Sequence, residues 1–437
     1  MIELMWSSIH YSMVLTFYGQ KASEMGIIHQ GGLMKKTICE LFAGVGGFRL
    51  GFDRLNSGWK TTWFSQWEPG ARKQWAHECY VSHFGDSIDV NGEYHTGDDI
   101  STVDKSLIPD HTLLVGGFPC QDYSVAHSLA SSKGIEGKKG VLWWQIRDTI
   151  IAKKPPFCIF ENVDRLLKSP AKQRGRDLGI ILSCLAELGY SAEWRVVNAA
   201  QYGASQRRRR IFIFAYKDDT KFGTKMCKRS ASSIIMEDGL MPKAFPIIEM
   251  GEINSIELNT DIVNVSDEFI FSFENAGYMN NYKVFTSKVK EKEEKPVVLG
   301  QILQNHVDEK FFIPSEKLAK WTYLKGSKKI PRVSANGHQY VFSEGPVAFP
   351  APWDKPGRTM LTSESTLNRS THVVSDPTTG KLRLITPVEA ERLQGFDDNW
   401  TNTGMPDRLR YFCMGTALVV SIITRMGKVL DEIISIE

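Results

Sequence analysis

Three short apolar runs, each stopping at glycine or at a carboxylate, constrain this chain more than any other feature. Thr37-Ile-Cys-Glu-Leu-Phe42 leads into Gly44, Gly46 and Gly47. Thr112-Leu-Leu-Val115 ends at Gly116-Gly117, and Phe157-Cys-Ile-Phe160 ends at Glu161-Asn162. Runs of this length, bounded by turn signals, fit buried strands. Helical spacing separates them. One helix is expected after Gly47 through about Leu55, and Leu178 to Leu188 keeps an apolar face that stops at Gly189. Trp59 to Phe64 reads as a second strand, and Arg195 to Asn198 and Ile211 to Tyr216 as later ones. Strands alternating with helices need crossover connections, so the expectation is an α/β fold around a parallel sheet. Chemistry in such sheets gathers beyond the carboxyl ends of the strands. The glycine turn, Cys120 and Glu161 all fall at that edge.

From Lys217 to Thr371 this pattern dissolves into charged and turn-rich pieces, such as Glu291-Lys-Glu-Glu-Lys295 and Ala351-Pro-Trp-Asp-Lys-Pro-Gly357. The stretch reads as a second, irregular lobe. Regular signal returns at Leu382. Thr386-Pro-Val-Glu389 opens a helix with Thr as N-cap, Pro at the first position and Glu at the third. A last helix is expected from about Thr416, with Val419, Ile422, Ile423, Met426, Val429, Leu430, Ile433 and Ile434 on one face. The expected division is therefore an accessory extension over 1–33, a first α/β domain over 34–216, an irregular lobe over 217–371 and a return to the first domain over 372–437. Met34 reads as the functional start, because the first strand follows it at once.

Net charge is only +3, so affinity for a polyanion has to come from local clusters, of which Arg207-Arg208-Arg209-Arg210 is the densest. Seven scattered cysteines without a CxxC pair indicate neither a disulfide framework nor a zinc site, and no metal is expected. No apolar run approaches the roughly 18 residues that span a bilayer.

Four motifs carry chemistry. In Phe42-Ala-Gly-Val-Gly-Gly47 the glycines let backbone approach a nucleoside-bearing ligand; a ligand-free tight turn is the plain alternative. Arg49 stands where a dinucleotide fingerprint has its third glycine, which disfavours a nicotinamide-linked oxidoreductase. Gln66-Trp67-Glu68, at the end of the second strand, offers acceptors for ribose hydroxyls and an aromatic face for a base. In Gly117-Phe-Pro-Cys-Gln121 a proline fixes the backbone ahead of a thiol at a strand end, where surroundings can lower its pKa; a buried structural cysteine is the alternative. Glu161-Asn162-Val163 places a carboxylate at another strand end, where it could also be a helix cap. Finally, Gln206-Arg-Arg-Arg-Arg210 precedes a strand. Alternation sends Arg208 and Arg210 to one face, and two guanidiniums together need an anionic or oxygen-rich partner.

Taken in this order, the motifs resemble the cytosine-C5 DNA methyltransferase family, which includes bacterial modification enzymes. The resemblance covers residues 37–216 and 382–434 and includes the element Gly415-x-Ala417. It implies a Rossmann-like, S-adenosylmethionine-dependent methyltransferase sheet with a target-recognition lobe. It also implies methyl transfer from S-adenosyl-L-methionine to C5 of a flipped-out cytosine in a specific duplex sequence. Phe42, Gly44, Gly46 and Gly47 match the cofactor turn. Gln66, Trp67 and Glu68 match the adenosine pocket, with Gln66 where an acid is expected, so that either it or Glu68 holds the ribose. Asp99 and Ile100 look like readers of the adenine edge. Pro119, Leu142, Thr416 and Ala417 are further cofactor contacts, Thr416 replacing the usual Asn. Cys120 matches the nucleophile, Glu161 the partner of the cytosine ring, and Arg208 and Arg210 the pair lining the base site.

On the DNA side the resemblance brings in Gln121 and Ser124 after the nucleophile. It adds Lys133, Lys138 and Lys139 in the glycine-rich stretch Ser131–Gly140, which suits a loop closing over phosphates. Thr359 to Arg369 is similar to the family's recognition element, and Thr359, Glu364 and Arg369 are its expected readers. The implied partner is double-stranded DNA, met by a monomer in the bacterial cytoplasm and associated with the nucleoid through that DNA. A cognate restriction endonuclease would act on the same site without a stable complex, unless the enzyme is an orphan. The same chemistry on tRNA, or a catalytically inactive DNA-binding relative, are the alternatives. A lobe of roughly 150 residues argues for duplex DNA, and the presence of Cys120, Glu161 and Arg210 argues for activity.

Overall fold

In a computed structural model, the described residues are 34–118, 142–334 and 336–437, and Lys35–Glu437 form one compact unit. The strands are β1 (Thr37–Leu41), β2 (Lys60–Ser65), β3 (Leu113–Gly117), β4 (Phe157–Val163), β5 (Tyr190–Asn198), β6 (Arg209–Lys217), β7 (Ile247–Glu257), β8 (Ala276–Asn280), β9 (Lys283–Glu291), β10 (Lys328–Val333), β11 (Gln339–Glu344), β12 (Val373–Ser375) and β13 (Leu382–Leu384). The longer helices are α1 (Gly47–Asp53), α2 (Trp75–Phe84), α3 (Leu142–Lys153), α4 (Arg176–Glu187), α5 (Ser315–Lys325), α6 (Pro387–Gln394), α7 (Asp407–Thr416) and α8 (Val420–Ile434).

β1 to β9 form one sheet in the order β2-β1-β3-β4-β6-β5-β8-β9-β7. β1 pairs in parallel with β2 and β3, and β3 with β4. β6 then runs antiparallel between β4 and β5. The sheet is thus mixed, with a parallel half as expected and an antiparallel half that alternation of strand and helix does not announce. A reversed β6 has a functional effect: its first residues lie at the same edge as the last residues of β4.

The expected lobe boundary at Lys217 is corrected. β7, β8 and β9 lie inside 217–371, yet they pair onward from β5 and extend the catalytic sheet. Their side chains hide the pattern: β7 is nowhere fully buried and lacks two-residue alternation, because it is the exposed edge strand. Residues 295–371, about half the expected lobe, follow the last strand of this sheet.

Apolar side chains collect in two clusters. One joins the sheet to α3 and α4 through Trp143, Ile146, Leu178 and Ile181. The other joins Val45 and Leu50, at α1, to the C-terminal residues Leu393, Phe396, Trp400, Tyr411, Met414 and Val420. The last helix starts at Val420 rather than Thr416, since α7 ends at Thr416 and the chain turns over 417–419. Its apolar face, from Ile422 to Ile434, is buried as expected. An 18-residue window within Asp407–Ile434 is apolar enough to cross a membrane by composition, but 67% of that window is buried within the protein, as in a core helix.

α6 begins with a complete capping box: the Thr386 hydroxyl accepts from the Glu389 amide, and the Glu389 carboxylate accepts from the Thr386 amide. That carboxylate also takes both terminal nitrogens of Arg383, at 2.8 Å each, while Arg383 Nε donates to Asp376 at 2.9 Å. All three side chains are almost wholly buried. Arg383→Ala would leave two buried carboxylates without their cation. Removing one member of a buried pair costs about 3–5 kcal/mol, so a large drop in melting temperature is expected. A melting curve like that of the unsubstituted protein would show that the triad contributes little.

Candidate active site

The register of four adjacent strands lines up the motifs. Leu41 pairs with Gly116, Gly117 with Glu161, and Val163 with Arg210. Neighbouring strands are about 4.8 Å apart. The glycine turn after β1, the end of β3 and the Glu161 carboxylate therefore stand side by side along one edge. Cys120 follows β3 by three residues. It lies outside the described residues, as do Pro119, Gln121, Ser124, Lys133, Lys138 and Lys139.

What leads to Cys120 is firmly placed. Phe118 is buried, its ring 5.6 Å from Trp143 and 6.5 Å from Phe160. The Asn162 side-chain amide donates to the Phe118 carbonyl at 2.9 Å, fixing the backbone two residues ahead of the thiol. A Cβ on Gly117 would sit 3.3 Å from Glu161 Oε2. The carboxylate thus lies directly against this turn. Glu161 belongs to β4 itself rather than following it.

Arg210 Nε stands 2.8 Å from Glu161 Oε1. Burial nevertheless holds the Glu161 carboxyl above its usual range, with Arg210 and then Arg208 pulling it back down. Arg208 is used differently from the pairing expected for it. It precedes β6, is buried, and donates to the carbonyls of Met360 (3.1 Å), Gly415 (2.9 Å) and Thr416 (3.4 Å). Burial and then the like charge of Arg210 push its guanidinium down to about 9, so it remains charged at neutral pH. Arg208 ties the site together, and Arg210 is the guanidinium beside the carboxylate.

The glycine turn is held from both sides. Phe42, Gly44 and Gly46 all have positive φ, 56°, 56° and 86°, a conformation costly for Phe42 and one that marks functional turns. Gln66 Oε1 accepts from the Gly44 amide at 2.7 Å, so its acceptor braces the turn. Gly47 opens α1. Trp67 is 37% exposed, which removes simple core packing as its explanation. Glu68 Oε2 accepts from the Ala76 amide and caps α2. Asp99 accepts from Ser101. Ile100 is a core residue, so it can face a ligand only through its backbone. Leu142 opens α3 and packs at the margin of the same core as Phe42. The Thr416 hydroxyl is spent on its own helix, on Cys413 O at 2.9 Å, and Ala417 follows as the C-cap of α7.

Three contributors were not singled out from sequence. Trp400 donates through Nε1 to the Val45 carbonyl at 2.8 Å, inside the glycine turn; nothing in its neighbourhood signals this. Glu40, a carboxylate inside an apolar strand, is fully buried and accepts from Tyr80 Oη at 3.0 Å. Its burial pushes its pKa up to about 8. Gln206, readable as the first letter of the arginine motif, accepts from the Met360 amide at 2.9 Å.

The expected readers of DNA are corrected. Glu364 is 2% exposed, and both its oxygens face His372, one on the amide at 2.6 Å and one on Nδ1 at 3.2 Å. Arg369 donates to the carbonyls of Leu324, Gly326 and Gly345. Thr359 donates to the Arg207 carbonyl at 2.5 Å. Turn-rich sequence does not say whether a polar side chain points inward, and here all three brace the loop that carries them.

The family model for C-5 cytosine-specific DNA methylases matches residues 36–432. The chain belongs to that family and is a DNA (cytosine-5) methyltransferase. It is 48% identical to the type II methyltransferase M.Sau3AI of Staphylococcus aureus over 92% of this chain and 97% of that one. It is 32% identical to the type II methyltransferase M.HhaI of Haemophilus parahaemolyticus, over 41% of this chain and 49% of that one. Among solved structures, the Dnmt2 methyltransferase of S. pombe is similar with a TM-score of 0.54 at 13% identity, covering 91% of this chain and 98% of that one, a likeness of fold.

Gly415 tests how tightly the site is closed. A Cβ there would fall 2.5 Å from Thr362 N and 2.6 Å from Leu361 C, backbone atoms that cannot swing aside. Gly415→Ala should cost about 1–3 kcal/mol or more, read as a lowered melting temperature, and should weaken methylation as the loop leaves Arg208. Unchanged stability and rate would show that this joint is loose.

Proposed function

We propose that the enzyme moves a methyl group from S-adenosylmethionine to C5 of a cytosine flipped out of a specific duplex site, with Cys120 as nucleophile. The observation that carries this reading is the Glu161 carboxyl, buried against Gly117 at the turn leading to Cys120 and flanked by Arg210. The family match and the 48% identical relative support DNA as substrate and a role in type II modification, in the bacterial cytoplasm. Lobe size lends no support, since the first half of the expected lobe carries three strands of the main sheet.

The residues of the cradle fit the cofactor. Space in front of Gly44 is open, with nothing within 4 Å of where a Cβ would begin. Trp67 offers a ring face. Since the Gln66 acceptor is spent on Gly44, the second carboxylate oxygen of Glu68 is the better partner for ribose. Phe42, Asp99, the Ile100 backbone and Leu142 complete the set. Bound there, S-adenosylmethionine supplies an electrophilic methyl group.

C5 of cytosine is a weak nucleophile. Addition of the Cys120 thiolate to C6 pushes the electron pair of the C5–C6 bond into the ring and makes C5 nucleophilic. Negative charge then builds towards N3, where a proton held by Glu161 neutralises it. Arg210 holds O2. Afterwards the C5 hydrogen leaves as a proton, the sulfur–C6 bond breaks, and the thiolate is restored. The base has to leave the stack first, at a cost of a few kcal/mol. The other thiols are poorly suited. Cys39, Cys79, Cys158, Cys184 and Cys413 are buried and burial pushes each one up. Cys227 is exposed but follows β6, at the opposite sheet edge from Glu161.

Fluorine cannot leave as a cation, so 5-fluorocytosine at the target should trap a denaturation-resistant protein–DNA adduct that forms only with S-adenosylmethionine. Peptide mass spectrometry should place it on Cys120, and Cys120→Ser should form none. An adduct on another cysteine would refute the assignment.

A second expectation concerns pH. Because burial raises the Glu161 pKa, its proton is present below that raised value and is lost as pH climbs through it. Single-turnover methylation should fall along that limb. Glu161→Gln should remove the limb and lower the rate by about 10²–10⁴-fold. A glutamine variant with the same rate and profile would exclude a proton-donating Glu161.

A further inference from the structure

The hairpin of β10 and β11 contributes little to the fold that bears it. The two strands pair only with each other, and neither contains a fully buried residue. Val333 is 65% and Val341 60% exposed. An isolated two-stranded ribbon is marginal in water, so its own burial does not account for its presence. Residues 328–344 carry Lys328, Lys329 and Arg332 against one carboxylate, Glu344, a cationic bias in a chain that is almost balanced overall.

The register sorts the side chains into two faces. Lys328 opposes Glu344, Ile330 opposes Phe342, and Arg332 opposes Tyr340 on one; Lys329, Pro331 and Val333 oppose Ser343, Val341 and Gln339 on the other. The Arg332 guanidinium lies 3.9 Å from the centre of the Phe342 ring, which steadies its fork. Pro331 and Lys329 blunt β10 as a template for another strand, so a second copy of this chain is a poor occupant.

The ribbon is also locked to the active site. Arg369 donates to Gly326, just before β10, and to Gly345, just after β11, holding both feet. Lys325, at the end of α5, donates to the carbonyls of Arg369 and Thr371. The same loop is anchored at Met360 by Gln206 and Arg208, beside Glu161. A base read by the ribbon is therefore at a fixed offset from the catalytic carboxylate.

We infer that the ribbon β10–β11 is the sequence reader, entering the major groove of the duplex with the face that bears Arg332 towards the bases and Arg332 as its base-contacting side chain. Strands of six residues extend about 20 Å, and the major groove, about 12 Å wide, admits a two-stranded ribbon. Arginine is the residue that most often pairs bidentately with the guanine edge. This inference rests on the proposed action on duplex DNA and deepens it.

The test is selection of bound duplexes from a pool of random sequence, followed by methylation of the recovered DNA. The wild-type protein should enrich a motif. Arg332→Ala should reduce discrimination at one or two positions of it by roughly 5- to 150-fold. Arg332→Lys keeps the charge but loses the fork, so it should lose discrimination with unchanged salt dependence of binding. Melting temperatures and cofactor affinity should stay at wild-type values, because this side chain is outside the core. If the variants enrich the wild-type motif with wild-type strength, or if the wild-type protein enriches none, the ribbon is not the reader. A wild-type protein that enriches a motif lost in the variants, yet transfers no methyl group to it, would uphold the ribbon and overturn the reaction. Methylation of one set of sites by wild type and variants alike would do the reverse.

Discussion

Arg208 carries a positive charge into the interior and spends its terminal nitrogens on backbone carbonyls from two distant parts of the chain. Met360 lies in the loop that ends the irregular lobe, and Gly415 and Thr416 end α7. Carbonyl dipoles alone hold a buried cation poorly, and the nearby carboxylate of Glu161 supplies the balancing charge. The arrangement is mutual. Arg208 keeps Glu161 from rising further, while Glu161 favours the charged Arg208. Catalytic edge, recognition loop and C-terminal return are joined at one guanidinium.

Much of the rest follows from strand register. With Gly117 opposite Glu161 and Val163 opposite Arg210, the backbone places the groups before any side chain chooses a rotamer. Side-chain bonds then remove the remaining freedom: Asn162 on Phe118, Gln66 on Gly44, Trp400 on Val45. This is preorganisation of the kind that makes fixed dipoles effective, because little has to reorient during reaction.

The parallel half of the sheet, the capping box of α6 and the edge holding Glu161 were legible in the sequence because their signals are local. Apolar runs stop at turn residues, and Thr386 and Glu389 are three positions apart. The antiparallel half was not legible, since β7 is exposed along its length and its pairing with β9 is a tertiary fact. Glu364 and Arg369 show a second limit. Position in a recognition loop was readable, but the direction of their side chains depended on His372, Leu324, Gly326 and Gly345. Arg208 lies between these cases: its motif was plain, while its partners at 360 and 415 were far away in sequence.

The return of the C-terminal segment bears on how the protein is made. Asp431, on the last helix, receives Lys36 at 2.5 Å and Trp59 Nε1 at 2.8 Å, and Trp400 reaches back to Val45 in the glycine turn. The first strand and its turn therefore lack their supports until the ribosome has reached the far end. At about 5–20 residues per second, that delay is on the order of tens of seconds. During this interval the nascent chain carries the first strand and the glycine turn but not the clasp that holds them. A chain interrupted before Trp400 therefore never gains the bond that holds its glycine turn from behind.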